Sequence, residues 1–572
     1  MFNRKGIRPG WSETPPPPKS YRSIFKYGDP CRFKHPSKQW VTMLKDELGM
    51  TDQDFKIKTH EGREPIDLTR DLHFSSEHIE KISEIVGPSN IATDVYERVK
   101  YAYGKTTEEM MELAQGHVRE ISDLVVHPRH KDDVRAIVQY CNIKHILLYV
   151  FSGGSSVTLG LRPQRKGGIT LVLSTHMNRL LELNETNQTA RVQPGLSGPA
   201  YEKALNQAPE RLMAIRRYTC GHFPQSFEHS TVGGWVAALG SGQASTYYGD
   251  AADLVISQEY VTPSGSFKTL DYPAAATGPN LDHIMIGSEG VFGVLVEINL
   301  KIFRYQPENR RYFSFMFPTW DTAVDTAREM AQGEFGKPAV FRISDPEETD
   351  RGIRLYGMPS PVDIFLKKRG FKPMKRCLCL GTAEGEKDYA RLVHRKIRRL
   401  AKSFGAIYLG GYGARKWEKT RYTEPYMRED LNDFGVTIDT LETSVSWDLL
   451  HDLHQGVRRF IKKRPKTICM THASHFYSTG TNLYFIFLGR FESVDDYRGF
   501  HTGIIDHIQE NGGSLSHHHG VGRMMAPWME THLGKEQMDV LRALKKHFDP
   551  NHIMNPGGQL GLDLDSQHVR RP

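Results

Sequence analysis

The length and composition of the chain exclude several classes of protein. At 572 residues it is too long for one ordinary hydrophobic core, which favours about two or three domains. Apolar residues make up 38% and charged residues 25%, as in globular proteins with a water-facing surface. The longest apolar run, at 146–151, is far shorter than the roughly 20 residues of a membrane-spanning helix. No secretory signal is predicted either, because no apolar stretch follows the first basic residues.

The net charge of +8 indicates which partners the chain favours. It suits phosphate or carboxylate ligands and lipid surfaces. Nucleic acid is not predicted as a partner, because no nucleic-acid-binding motif accompanies the charge.

Composition and periodicity divide the chain into four segments. Residues 1–40 are rich in proline and basic residues, with four consecutive prolines at 15–18, and are predicted to form an extended arm. Residues 41–120 show helical periodicity and are predicted to form a helical N-terminal region. Short apolar strands separated by turns begin near residue 121, and from residue 306 amphipathic helices alternate with strands. The two larger predicted domains are therefore 121–305 and 306–572.

Three stretches rich in glycine and serine lie within the 121–305 domain. The first, 152–156, reads Ser-Gly-Gly-Ser-Ser and directly follows a buried apolar strand. Small residues let backbone N–H groups approach an anion, so this loop can hold a diphosphate, although such a loop by itself is more often only a turn. The stretches 221–235 and 287–294 add further hydroxyl and N–H donors. The spacing matches neither the Rossmann fingerprint nor the P-loop.

Together these stretches resemble the FAD-binding (PCMH-type) domain of the vanillyl-alcohol-oxidase superfamily. The resemblance implies an α+β fold with a two-lobed FAD-binding domain, an α/β cap domain for the substrate and a helical N-terminal preface. It also implies FAD, bound non-covalently, because Ser155 and Ser156 stand where members with covalent flavin often carry a histidine. The residues that it assigns to FAD are Ser152, Gly153, Gly154, Ser155, Ser156, Val157, Gln225, Ser226, Ser230, Thr231, Gly233, Gly234, Trp235, Glu289, Gly290, Gly293 and Val294.

A histidine-rich loop narrows the resemblance. Residues 512–522, which contain His517, His518 and His519 in succession, are similar to the active-site loop of the alkyldihydroxyacetonephosphate synthase family. In an extended segment His517 and His519 would share one face and His518 would lie opposite. A surface cluster and a metal site are the alternatives. No acidic or cysteine residue lies nearby in the sequence at a metal-ligand spacing, so no metal is predicted.

The same resemblance assigns roles to three further residues. Tyr484, in the strand 483–487, matches the catalytic acid/base, with a core tyrosine as the alternative. Arg428 matches the residue that binds the anionic headgroup of the substrate, and Arg342 matches an arginine beside the flavin. Tyr484, Arg342 and the three histidines are thus the predicted catalytic residues.

Two physical expectations accompany these assignments. Arg342 lies in an apolar strand, where an unpaired charge is costly, so a partner is predicted for it. The pKa of tyrosine is near 10 in water, so Tyr484 needs positive neighbours to act as a base near pH 7. The histidines and arginines are expected to supply them.

The resemblance implies a reaction of ether-lipid biosynthesis. The acyl chain of acyl-dihydroxyacetone phosphate is exchanged for a fatty alcohol, through an adduct at flavin N5 and without net redox change. The alternative is an FAD-dependent 2-hydroxy-acid dehydrogenase or oxidase of the D-lactate or glycolate type, which the sequence at 555–558 resembles more. A third possibility is a flavoprotein-like scaffold without activity, which the absence of a flavin absorbance band would support.

Some features depart from the family pattern. His229 stands where relatives carry an aromatic residue, an insertion occupies 210–217, and residues 569–572 do not form a peroxisomal signal. The expected location is cytoplasmic or peripheral to a membrane. The expected partners are the lipid substrates, a membrane surface and a second copy in a homodimer.

Overall fold

The N-terminal region packs against the body of the protein. A computed structural model describes residues 14–56, 61–557 and 559–562. The described part of the predicted arm does not stay extended: a short helix follows Ser20, whose side chain caps it, and Arg22 and Lys26 form buried ion pairs with Asp433 and Glu429 at 2.7 and 2.9 Å. The composition predicted an extended arm, but these two charges are neutralised by carboxylates more than 400 positions away.

Short helices and one short strand make up the described part of this region. They are α1 (Tyr21–Phe25), α2 (Lys38–Leu48), α3 (Ser76–Val86), β1 (Ile91–Ala92), α4 (Val95–Lys100) and α5 (Thr107–Ala114). Capping side chains start several of them, as at Thr106, whose hydroxyl accepts the Glu109 N–H while Glu109 caps in return.

Two large sheets and the two-stranded pair β7-β11 form the region that follows, which agrees with a two-lobed domain. The first has the order β1-β2-β4-β3 and the second the order β5-β6-β10-β8-β9. The elements are β2 (Leu124–Val126), α6 (Lys131–Lys144), β3 (Leu148–Phe151), β4 (Ile169–Val172), β5 (Leu180–Asn184), β6 (Thr189–Val192), α7 (Gly198–Asn206), α8 (Ala208–Leu212), β7 (Tyr218–Thr219), α9 (Val232–Ala237), α10 (Ser245–Tyr248), α11 (Ala251–Leu254), β8 (Val255–Thr262), β9 (Gly265–Lys268), α12 (Asp282–Met285), β10 (Val294–Lys301) and β11 (Phe303–Arg304).

Parallel pairing explains the composition of the first sheet. Strands β2, β4 and β3 pair in parallel, and α3 and α6 pack on one of their faces. A second apolar cluster covers the other face, so the strands are apolar without alternation, as the sequence predicted for the buried strand before the loop 152–156. The loop 152–156 leaves the end of β3.

A seven-stranded antiparallel sheet forms the core of the third region. Its order is β15-β12-β14-β13-β17-β18-β16. The elements are β12 (Arg311–Phe317), α13 (Trp320–Gln332), β13 (Val340–Ser344), α14 (Pro346–Tyr356), α15 (Ser360–Lys368), β14 (Cys377–Ala383), α16 (Lys387–Ser403), β15 (Ile407–Gly410), α17 (Tyr412–Thr420), α18 (Met427–Asn432), β16 (Thr437–Ser446), α19 (Leu450–Lys463), β17 (Ile468–Phe476), β18 (Gly480–Gly489), α20 (Val494–Glu510), α21 (Gly522–Met525), α22 (Met529–Leu533) and α23 (Lys535–Phe548).

Side chains along β18 point alternately into the core of this sheet and towards a cavity on its other face. Leu483, Phe485 and Phe487 are fully buried in the cluster that α13, α16, α19 and α20 cover. Tyr484 and Ile486 point to the other face and line a cavity.

The C-terminal residues return to the first sheet. Leu148 donates its N–H to the Ile553 carbonyl at 2.8 Å and accepts from the Asn555 N–H at 2.7 Å. The sequence predictions at Gly558 and at 569–572 fall outside the described residues. Within the described ranges, no helix has the length and apolar character that crossing a membrane requires. The predicted domain boundaries remain predictions.

Candidate active site

One cavity of about 510 Å³ brings most of the predicted site residues together. The two-lobed region contributes the loops at 152–157, 225–243 and 289–293 to its wall, and the seven-stranded sheet contributes the opposite wall. Every residue predicted to bind FAD lies on this cavity except Val294.

Val294 lies on the wrong side of its strand to reach the cavity. It is the first residue of β10, where Gly293 before it and Leu295 after it both line the cavity. Side chains alternate between the two faces of a strand, and the Val294 side chain is fully buried in the core of the first sheet. Its predicted contact with FAD is therefore not supported.

The loop 152–157 has the geometry of an anion cradle. Among the described residues, none accepts a hydrogen bond from the backbone N–H groups of 153–157. Ser152 is tied to Thr231 by a 2.7 Å hydroxyl contact, and Thr231 caps α9. A Cβ added to Gly153 would lie 2.8 Å from the His229 carbonyl oxygen, so only glycine fits there. Free N–H groups in a tightly packed small-residue loop fit the diphosphate of FAD.

The opposite wall is a row of side chains from three adjacent strands. Tyr484 on β18 pairs with Glu442 on β16 and with His472 on β17. Residues directly opposite each other on neighbouring strands project to the same face, so these three side chains lie together. Tyr484 stacks on His472 with ring centroids 4.9 Å apart, and its hydroxyl contacts Thr440 Oγ1 at 3.1 Å.

The pKa of Tyr484 shifts against the sequence expectation. Burial raises this pKa to about 12, Glu442 and Asp439 add to the rise, and Thr440 and Arg342 lower it. The expected net depression by histidines and arginines is therefore wrong for this structure. The two carboxylates come from a strand distant in sequence, and burial penalises the phenolate.

Arg342 has the partner predicted for it. Its guanidinium contacts Glu348 at 2.6 Å and His472 Nδ1 at 3.0 Å. Burial raises the pKa of Glu348, but the Arg342 charge and His472 outweigh it and hold this pKa at about 2. The pair is thus ionised, and it fixes Arg342 beside the Tyr484 row.

The histidine loop curls around one carboxylate. Glu442 accepts the backbone N–H groups of His517, His518 and His519 at 2.8, 3.2 and 3.1 Å, and the Ser516 hydroxyl at 2.7 Å. The loop is therefore not extended, and the predicted alternation of the rings is wrong. His518 and His519 line the cavity together.

His517 turns away from the cavity. Its Nε2 contacts the Tyr477 hydroxyl at 2.7 Å, and it does not line the cavity. Burial lowers the pKa of His517 to about 3 and the pKa of His519 to about 4, so both rings are neutral at pH 7.

Glu442, which is remote from the histidine loop in the sequence, lies close to these histidines in the structure. Ligand atoms of Glu442, His517 and His518 lie within 4.8 Å of one another, a spacing that a metal ion could bridge. The oxygens of Glu442 already accept hydrogen bonds from the loop. The absence of a metal remains a prediction.

Arg428 offers free donors to the cavity. Its Nη1 donates to the Lys105 carbonyl at 2.6 Å, while its Nε and Nη2 are buried without a partner among the described residues. Unpaired buried donors are costly, so their presence on a cavity wall fits an anionic ligand.

Several cavity residues escaped the sequence analysis. They include Tyr27, Thr440, His472 and His475. Glu442, which holds the histidine loop from outside the cavity lining, was also missed. The polar residues of β17, which interrupt an otherwise apolar strand, were a usable signal for His472 and His475. Nothing in the local sequence marks Tyr27.

Comparisons with known proteins agree with this geometry. The model of an FAD binding domain matches residues 122–271, and that of the C-terminal domain of FAD linked oxidases matches residues 306–558. Alkyldihydroxyacetonephosphate synthase of Dictyostelium discoideum is 31% identical over 84% of this chain and 80% of its own length. The chain belongs to the alkyldihydroxyacetonephosphate synthase family.

Structural similarity covers nearly the whole chain. A solved structure of alkyldihydroxyacetonephosphate synthase has a TM-score of 0.76 and 27% identity, covering 91% of this chain and 93% of its own. The glycolate oxidase subunit GlcD of Bacillus subtilis is more distant, at 24% identity over 86% of this chain and 98% of its own length. The predicted fold and FAD as cofactor are thus confirmed.

Proposed function

We propose that the protein exchanges the acyl chain of acyl-dihydroxyacetone phosphate for a fatty alcohol, forming an ether lipid precursor. This proposal rests on three groups that line the same cavity. They are the free N–H groups of 153–157, the Tyr484 hydroxyl and the unpaired donors of Arg428. The first group suits a diphosphate, and the other two suit a phosphorylated substrate with an exchangeable proton.

The residues on the cavity have distinct tasks. FAD, when bound, supplies the reactive ring beside which the exchange takes place. Arg428 directs two N–H donors to the phosphate, where a planar fork binds better than a point charge. Tyr484 exchanges the proton at substrate C1.

The pKa of Tyr484 constrains how it moves that proton. At neutral pH the hydroxyl is protonated, so it acts as a base only if its own proton leaves to an acceptor. His519 is unprotonated at this pH, and its ring centroid lies 5.8 Å from that of Tyr484. His519 is thus the neutral ring next to Tyr484, and it can take the phenolic proton only when a bound anion raises the pKa of this histidine.

A two-arm assay tests the function. One arm supplies acyl-dihydroxyacetone phosphate and labelled hexadecanol, and the other supplies D-lactate or glycolate with an electron-accepting dye. The labelled ether product in the first arm is the expected result. Dye reduction in the second arm without ether product would instead support the hydroxy-acid dehydrogenase.

We further propose that α15 and the loop after it touch the membrane that holds the lipid substrates. Ile364, Phe365 and Met374 are 53%, 46% and 53% exposed. Five exposed cations surround them, at positions 367, 368, 369, 372 and 375. Apolar side chains among basic residues favour anionic lipid surfaces.

This surface is connected to the cavity wall. Tyr356, at the end of α14, donates its hydroxyl to Glu424 at 3.0 Å, and Glu424 lines the cavity. Helix α15 begins only four residues after Tyr356. A lipid leaving the bilayer at α15 would therefore have a short way to the site.

Flotation with anionic liposomes at low salt tests the surface. The protein should rise with the vesicles, and Phe365→Ser should reduce this. Ile143→Ser, on the 74% exposed residue of α6, is the matched control and should not. Equal flotation of both variants would count against α15. The homodimer remains a prediction that light scattering can test.

A further inference from the structure

A tyrosine from the N-terminal segment lies on the wall of the active-site cavity. Tyr27 is 7% exposed, and it lines the same cavity as Tyr484 and Arg428. None of the described residues forms a hydrogen bond with its hydroxyl. A hydroxyl on a residue that lines a cavity, without a protein partner, is available to a ligand.

The Tyr27 ring is held from two sides. It meets His229 edge-on with centroids 4.3 Å apart and Tyr426 edge-on at 5.3 Å. Burial lowers the pKa of His229 to about 3, so this ring is neutral. The histidine that departs from the family pattern therefore packs against Tyr27.

Backbone and side-chain contacts join Tyr27 to Arg428. Glu429 accepts the Tyr27 N–H at 2.6 Å and the Lys26 Nζ at 2.9 Å. Lys105 donates its Nζ to the Lys26 carbonyl at 2.9 Å and accepts Arg428 Nη1 on its own carbonyl at 2.6 Å. The two cavity-facing groups are thus fixed relative to each other.

Charge also connects the two residues. Burial raises the pKa of the Tyr27 hydroxyl, and the Arg428 charge acts in the opposite direction. Tyr27 therefore stays protonated at neutral pH and presents an O–H donor close to a cation. A donor beside a guanidinium is suited to a phosphate, which accepts several hydrogen bonds.

We infer that Tyr27 is a substrate-binding residue, whose hydroxyl and the free donors of Arg428 hold the phosphate headgroup together. This inference rests on the proposed function. It makes the N-terminal segment a part of the active site and not only a packing element. Lys105 and Glu429 are positioning residues, because they act through the segment and through Arg428.

Kinetics of Tyr27→Phe test the inference. The variant should keep its FAD and its thermal midpoint, since the ring remains. The KM for acyl-dihydroxyacetone phosphate should rise about 10-fold, the usual effect of one hydrogen bond to a charged group, while kcat stays within about 3-fold. Tyr21→Phe is the control: Tyr21 lies in the same segment but packs in the core with Ile24 and Val99.

A binding measurement separates the possible failures. Dihydroxyacetone phosphate is titrated into the FAD-loaded protein and followed by calorimetry. Weaker binding to Tyr27→Phe than to wild type, and a less than additive effect with Arg428→Lys, would support a shared phosphate site. Unchanged KM and unchanged affinity in an active enzyme would overturn the inference. A wild type that neither turns over the substrate nor binds this probe would instead overturn the proposed function.

Discussion

The two walls of the cavity are built in different ways. The FAD wall is built from backbone. The contiguous loop 152–157 presents its N–H donors to the cavity, and glycine, which has no side chain, lets a ligand approach them. The substrate wall depends on side chains from separate strands, where strand register places Tyr484 and His472 on the cavity next to Glu442. A change in the first wall should therefore alter cofactor affinity, and a change in the second should alter turnover.

Tyr484→Phe should have the largest effect, because it removes one oxygen from the substrate wall. Folding and FAD should survive while turnover falls by about 10²–10⁴-fold, as for a positioned proton-transfer group. The measurement is exchange of the C1 hydrogen of acyl-dihydroxyacetone phosphate with solvent. Tyr201→Phe, at a buried tyrosine outside the cavity, is the control. Equal exchange in wild type and Tyr484→Phe would remove Tyr484 from the mechanism.

Arg428→Lys should have a smaller effect on the same wall. Lysine keeps the charge but loses the two N–H donors that now lack a partner. We expect kcat/KM to fall by the equivalent of about 1.5–3 kcal/mol, typical of a hydrogen bond to a charged group. An unchanged kcat/KM would show that Arg428 does not hold the phosphate.

Gly153→Ala tests the backbone wall. The new Cβ would lie 2.8 Å from the His229 carbonyl oxygen, so the loop must shift. Overpacking of this kind costs about 1–3 kcal/mol, and we expect it to appear as weaker FAD binding with near-normal turnover at saturating FAD. Gly499→Ala is the control, since nothing lies within 4 Å of its Cβ. Lost turnover with full FAD occupancy would contradict the division between the walls.

The same contrast explains what the sequence could predict. The FAD loops are contiguous, so their residues could be recognised together, and only Val294, on the core-facing side of β10, lies away from the cavity. Tyr484 and Arg342 were recognisable by resemblance, but Glu442 and His472 join them only through strand pairing. The pKa of Tyr484 was mispredicted for the same reason, because its burial, which is the main cause of the rise, and the two carboxylates that add to it both follow from the assembled sheet.

Glu289 connects the two walls, and its titration gives the smallest expected effect. Its carboxylate accepts the Val521 and Gly522 N–H groups at 2.7 and 2.9 Å, at the end of the histidine loop. Burial raises its pKa to about 7, although those N–H groups lower it. A carboxyl with a raised folded pKa destabilises the native state once it ionises, so stability should fall from about pH 4.5 to pH 7 and then level off.

Glu289→Gln should flatten this dependence, because glutamine does not ionise. The full shift corresponds to about 3 kcal/mol, but Glu289 borders the cavity and solvent there reduces the cost. We therefore expect the thermal midpoint of the variant, relative to wild type, to rise by about 1–3 °C between about pH 5 and pH 8. Asp448→Asn, at an exposed carboxylate whose pKa is lowered by Ser446, should show no such rise. Parallel curves for Glu289→Gln and wild type would mean that the connection between the two walls does not depend on ionisation.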